Sequence, residues 1–265
     1  MVVIGLGKAG CNIAEMFKSY DNYKVLTYDG GKNVPLNESS EGYENGFPNK
    51  RELKKIKNET IWFFVCGAGK IAGATLRLLE QIKENKINIV YITPDTSIIP
   101  DVAKKRNRVG AGVLQEYARS GLFEAVYLVS NNSLQEIVGE APLASYYSKI
   151  NELIFNCVHS MNIFAHTEPI FGQLHEPKEI SRIRTFSFSE TNKKEKKMFF
   201  PLDNVTETCY INNINKREIK NNSNLISEIK SKLDDDIISS FTVYESPYEH
   251  SYAYGIHYTH YIQEV

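Results

Sequence analysis

The segment Gly5-Leu6-Gly7-Lys8-Ala9-Gly10-Cys11-Asn12 follows an apolar, β-branched run over residues 2–6. It leads into apolar positions at helical spacing, Ile13, Met16 and Phe17. Glycines placed between a strand and a helix let backbone amides approach an anion closely, and the helix N-terminus adds partial positive charge. Phosphate is the ligand this chemistry suits. Alone, the GxGxxG spacing points to a dinucleotide-binding unit, and Asp29, about 20 residues further on at the end of the next strand, stands where a ribose 2′-hydroxyl would be held. A tight turn that binds nothing is the plainer reading of the same glycines. A second glycine loop, Cys66-Gly67-Ala68-Gly69-Lys70-Ile71-Ala72-Gly73-Ala74-Thr75, ends a different apolar run and opens another helix. Two such loops at one edge of a parallel sheet can enclose a polyphosphate from both sides, which a dinucleotide enzyme rarely needs.

The elements that must position these loops alternate. Strands are expected at residues 24–28, 61–66, 87–93 and 123–129, with helices through Leu76, Leu79 and Ile82, and through Val113, Leu114 and Tyr117. Residues 32–58 are polar and read as loop with a short helix. The alternation predicts an α/β fold, a Rossmann-like parallel sheet with helices on both faces. A long central helix is expected from about Ala144 to Ala165, burying Ile150, Leu153, Ile154, Cys157, Met161 and Phe164. Beyond it the expected order is a loop at 167–179, a strand at 182–188, a charged loop at 192–197, a strand at 208–214, a helix at 224–233 and strands at 238–244 and 252–262. That divides the chain into a nucleotide-binding domain, 1–166, and a smaller α+β domain, 167–265.

Composition sets limits. Among 265 residues, 42% are hydrophobic and 24% charged, and the formal net charge is -1. That balance gives no footprint for nucleic acid or an anionic membrane. The four cysteines, Cys11, Cys66, Cys157 and Cys209, form no CxxC pair and have no histidines at ligand spacing, so no metal site is expected. No apolar run reaches the length of a membrane span, and the opening residues lack the features of a signal peptide, which makes the expected location cytoplasmic.

Taken in order, the segments resemble the tubulin/FtsZ family, whose first loop reads GxGxxGxN and whose signature loop reads AGxGGGTGTG. The resemblance implies nucleotide contacts from Gly7, Lys8, Ala9, Gly10, Cys11 and Asn12 in the first loop, and from Gly67, Ala68, Gly69, Lys70, Ile71, Ala72 and Gly73 in the second. It extends to Asp101 and Lys105, an acid four residues before a base, and to Asn132 in the Ser130-Asn131-Asn132 turn beside the ribose. At the start of the long helix it implies that Tyr147 stacks on a guanine while Asn151, one turn later, bonds its edge, and that Glu152 stands at a neighbouring acidic position. The C-terminal unit resembles a shortened activation domain.

The resemblance has gaps. The central Gly-Gly-Thr-Gly-Thr-Gly becomes Lys70-Ile71-Ala72-Gly73-Ala74-Thr75, so two hydroxyl ligands are lost, and Lys8 and Lys70 are the candidates to replace them at the phosphates. The family's NxDxxD catalytic loop has no aspartates here, and Glu176 and Glu179 are its only substitutes. The implied function is that of a cytoskeletal protein that binds GTP or GDP, with Mg2+ accompanying the phosphates, self-associates head to tail, and hydrolyses GTP weakly or not at all. Two rival readings stand beside it: a tubulin-like protein that has lost its nucleotide and serves as a structural or interaction protein, and an NAD-binding Rossmann enzyme.

Overall fold

A computed structural model of the chain describes residues 1–190, 196–234 and 236–265. In order, the elements are β1 (Val2–Leu6), α1 (Gly7–Met16), β2 (Lys24–Tyr28), α2 (Ser40–Gly46), α3 (Arg51–Lys54), β3 (Thr60–Cys66), α4 (Thr75–Glu80), β4 (Lys86–Thr93), α5 (Asp101–Arg119), β5 (Ala125–Ser130), α6 (Asn131–Val138) and α7 (Leu143–Phe164). The second half comprises β6 (Phe171–Gln173), β7 (Ile183–Glu190), β8 (Lys197–Met198), β9 (Glu207–Asn215), α8 (Lys216–Asn221), α9 (Leu225–Lys230), β10 (Ile238–Ser246) and β11 (Tyr252–Thr259). Residues 192–195 of the expected charged loop lie outside the described residues. No described helix is long and apolar enough to cross a membrane.

The first five strands pair in parallel, in the order β2-β1-β3-β4-β5. Their apolar residues split by strand periodicity between two faces. Val2, Ile4 and Leu6 pack with Val34, Tyr43, Leu78, Leu79 and Leu114, so α2, α4 and α5 cover one side. Val3 packs with Ile13, Phe17, Leu134, Ile150, Ile154 and Val158, so α1, α6 and α7 cover the other. This is the doubly wound arrangement the alternation predicts. The central helix buries Ile150, Ile154, Cys157 and Val158, while Leu153, Met161 and Phe164 are partly covered.

The sheet continues past β5. Val126 and Tyr127 pair in parallel with Ile183 and Arg184, and the order runs on through β7-β11-β9-β10-β6, with β8 beside β7. A separate apolar cluster, Tyr210, Ile214, Leu225, Ile229, Phe241 and Val243, joins α9 to β9 and β10.

Four local expectations change. The helix after the second glycine loop begins as a 3₁₀ turn, Lys70–Ala74, before the six residues of α4. The tighter turn shifts the phase, so Leu78 is buried in place of the half-covered Leu76. Residues 32–58 hold two short helices, α2 and α3. The loop after α7 contains β6, whose three residues are all exposed and pair with β10. The last strand stops at Thr259 because the chain then turns onto α5, where the Gln263 amide donates to Gln115 Oε1 (2.8 Å) and Gln115 Nε2 donates back to the Gln263 carbonyl (3.1 Å).

Candidate functional site

The two glycine loops leave adjacent strands, because β1 pairs with β3 in the register Leu6 to Val65. The first is built by close approach. A Cβ on Gly5 would stand 2.3 Å from the Gly10 oxygen, and one on Gly10 would stand 2.2 Å from the Phe64 oxygen. Glycine therefore lets α1 lie directly on the sheet. Gly7, with φ +72°, makes the turn into the helix. The first turn of α1 has no side-chain cap and no acid, so its N–H groups stay available to an anion. Lys8 and Asn12 are exposed there, and Ala9 is half-buried. Cys11 is buried, and its thiol donates to the carbonyls of Gly5 and Tyr28, each at 3.5 Å. Burial, then the neighbouring Asp29, pushes it up to about 11, so it remains a thiol. The Asp29 carboxylate accepts from the Gly30 amide at 3.0 Å.

The second loop is held from behind by β4 and α5. A Cβ on Gly67 would fall 1.9 Å from the Tyr91 hydroxyl and 2.3 Å from Asn107 Oδ1. Tyr91 in turn donates to the Asn107 carbonyl at 2.7 Å. Arg106 Nη1 donates to the Ala68 carbonyl at 2.5 Å. At the far end, a Cβ on Gly73 would meet the Ser40 oxygen at 2.1 Å, which seats α2 against the loop. Gly69 and Lys70 are exposed, while Ala68, Ile71, Ala72 and Gly73 are half-buried. The loops touch one another through Ile71, whose Cγ2 lies 2.8 Å from the Cβ position of Gly7.

Of the acid–base pair on α5, Asp101 and Lys105 are both exposed, and Asp101 pairs with Lys104 at 3.2 Å. The base that reaches the glycine loop is Arg106, one residue and about 100° further round the helix. A third group of residues gathers around the start of α7. Asn132, exposed in the first turn of α6, lies near Asp95, whose carboxyl is held below its usual range by the Ser97 hydroxyl and amide and, more weakly, by Asn132. Tyr146 donates to Gln135 Oε1 at 2.8 Å, and its ring meets Tyr147 edge-on at 5.1 Å. Tyr147 is 56% exposed, so its ring face is free to stack, whereas Asn151 is buried and Glu152 exposed. The residues sequence reasoning missed here are Asp95, Gln135, Tyr146 and Arg106. Pro94-Asp95-Thr96-Ser97, an Asx turn at the end of a strand, is the one local signal among them.

The loop after α7 leaves both candidate carboxylates in solvent. Glu176 is exposed, and Glu179 reaches Arg182 at 3.5 Å. The acid that organises this loop is Glu207 at the start of β9, which is 1% exposed. It accepts from Ser181 Oγ (2.6 Å) and from the Lys178 amide (3.1 Å), and His175 Nε2 lies at 3.2 Å. Burial raises its pKa, but these donors outweigh that and hold the carboxyl below its usual range. His175 also meets Ser240 Oγ at 2.7 Å, which fastens the loop to β10.

No protein-family model matches the sequence, and no curated protein does. Similarity emerges in three dimensions. TubZ of Bacillus thuringiensis serovar israelensis, in a GTPγS-form protofilament, superposes with a TM-score of 0.70 at 14% identity, covering 97% of this chain and 85% of that one. CetZ from Methanosaeta thermophila gives 0.67 at 14% identity over 98% of this chain and 86% of that one. An FtsZ dimer from M. jannaschii gives 0.62 at 13% identity over 97% and 87%.

Proposed function

We propose, from the premise that this chain has the tubulin/FtsZ fold, that it is a cytoskeletal subunit which binds a guanine nucleotide at the paired glycine loops and assembles head to tail. The observation that carries this reading is the juxtaposition of two glycine turns on neighbouring parallel strands, each opening an uncapped helical turn free of acidic residues. The residues fit a polyphosphate. Gly5 and Gly10 bring the α1 amides to the sheet edge, and Lys8 and Lys70 supply exposed cations at the rim. The exposed ring of Tyr147 would cover the base, with Asn151 one turn along α7 reading its edge and the Asn132–Asp95 pair facing the ribose.

Head-to-tail stacking is a heterologous contact, which propagates into a filament. The TubZ neighbours are protofilaments and two- or four-stranded filaments, which supports self-association here. Glu176 and Glu179 are both exposed, Glu179 pairing with Arg182 of its own loop, where a loop serving the next subunit's nucleotide would carry them, and slow turnover follows from there being no aspartate pair.

A second reading, a subunit of the same fold that works without nucleotide, is favoured by one contact. The Ile71 methyl lies against Gly7, between the loops. Calorimetry with GTP, GDP, ATP and NAD, paired with light scattering and electron microscopy, separates the readings. Guanine-selective binding with nucleotide-dependent filaments is expected. Filaments with no nucleotide binding would leave the second reading in its place, and neither binding nor filaments would refute the first.

A further inference from the structure

The Ile71 side chain bridges the two glycine loops that a phosphate chain would have to engage together. It extends from the second glycine loop to the first, with Cγ2 at 2.8 Å from the Cβ position of Gly7 and 3.7 Å from that of Gly69. Its inner side packs against the apolar cluster shared by α2, α4 and α5, so it is a braced group and not a loose one. Gly7, at φ +72°, offers no side chain of its own, and the methyl fills the space that this glycine leaves. An anion bonded to amides of both loops must lie about 2.9 Å from each nitrogen. A methyl in the same gap excludes its oxygens and removes the water that would otherwise solvate them.

We propose that Ile71 is a gate residue that sets how many phosphates the site accepts. The proposal rests on the nucleotide reading above and assigns its specificity. A short phosphate group held by the first loop alone leaves Ile71 in place. A triphosphate that engages both loops must drive it out of its apolar contacts. Displacing a half-buried isoleucine weakens triphosphate binding roughly tenfold relative to an open cradle. The same displacement shifts the Lys70–Ala74 turn, whose Gly73 is seated on the Ser40 backbone at the head of α2, so triphosphate occupancy would be transmitted to the surface at residues 40–46.

The test titrates GTPγS, GDP and guanosine into wild type and Ile71→Ala, with circular dichroism to verify folding. The expected result is a GTPγS-to-guanosine affinity ratio about tenfold higher in Ile71→Ala, with a smaller rise for GDP. An unchanged or lower ratio, with guanosine still bound, overturns the gate and spares the nucleotide reading. No binding of any of the three ligands by either protein overturns that reading and the gate together. Isoleucine-methyl NMR on the wild type needs no variant: the Ile71 signal should move with GTPγS and stay with guanosine. An Ile71 signal that GTPγS leaves unmoved, while other signals around the glycine loops shift, overturns the gate.

Discussion

Two glycine-to-alanine changes, on two different helices, are predicted to act in opposite directions. At Gly10 the new methyl would stand 2.2 Å from the Phe64 carbonyl oxygen and 3.0 Å from its carbon. Both are backbone atoms of a central strand, so no side chain can swing aside, and α1 must withdraw by roughly 1 Å to restore ordinary contact. That movement loosens the contacts of Phe17 with Phe64 and Phe155, whose ring centroids lie 5.8 and 4.8 Å away. Overpacking against backbone costs about 3 kcal/mol, of which the better helix propensity of alanine offsets about 1 kcal/mol. A net loss of about 2 kcal/mol lowers Tm by about 4–8 °C in a chain of this size. At Gly112, in the middle of α5, an added methyl meets nothing within 4 Å. Gly112→Ala should therefore gain about 1 kcal/mol and raise Tm by about 2–4 °C. The single tryptophan, Trp62, is buried at 4% exposure and reports both transitions by fluorescence. A Gly10→Ala protein that melts at or above the wild-type temperature would refute the close-approach argument, and with it the placement of the α1 amides at the sheet edge.

Three further outcomes are predicted. His257 is buried, bonded to Ser187 Oγ at 2.8 Å, and lowered by burial to about 4. Because the unfolded imidazole titrates near its ordinary value, the contribution is whole above about pH 6.5 and is lost as pH falls towards 4, by about 3 kcal/mol, so His257→Asn should flatten the fall of Tm across that window. Glu207→Ala strips the acceptor from Ser181 and Lys178; it should cost about 2–4 kcal/mol and speed amide exchange across residues 175–182, whereas unchanged exchange would show that the loop is held elsewhere. Tyr147→Ala removes an exposed ring, so stability should stay within about 0.5 kcal/mol while guanine-nucleotide affinity drops about tenfold or more; equal affinity would take Tyr147 out of the site.

Much of the first half was legible because its strands are nearly continuous apolar runs and its glycine loops are contiguous. The strands at 87–93 and 123–129 lie within two residues of β4 and β5 at either end. What escaped depends on partners far apart in the chain. Ile71 reads as one substitution in a signature loop until Gly7 is brought against it from the first loop. Glu207 reads as an ordinary strand residue, yet it gathers Ser181, Lys178 and His175 from a segment more than twenty positions earlier. The same holds for Gln263, whose exchange with Gln115 spans 148 positions and no local pattern encodes. On α5 the resemblance singled out Asp101 and Lys105, whereas the side chain bonded to the second glycine loop is that of Arg106, which the helix phase alone brings there.

The junction between β5 and β7 has a mechanical meaning. Among the described residues, only Val126 with Ile183 and Tyr127 with Arg184 are in register there, supported by Arg182 donating to the carbonyls of Phe123 and Glu124. On one side stand the broad ladders of β3 and β4, and on the other those of β7, β11 and β9. Side chains carry the rest of the load across this neck: Thr185 Oγ1 donates to the Leu128 carbonyl at 2.7 Å, Arg184 Nη1 donates to the Tyr127 hydroxyl at 3.1 Å, and the Gln263–Gln115 exchange ties the end of the chain back to α5.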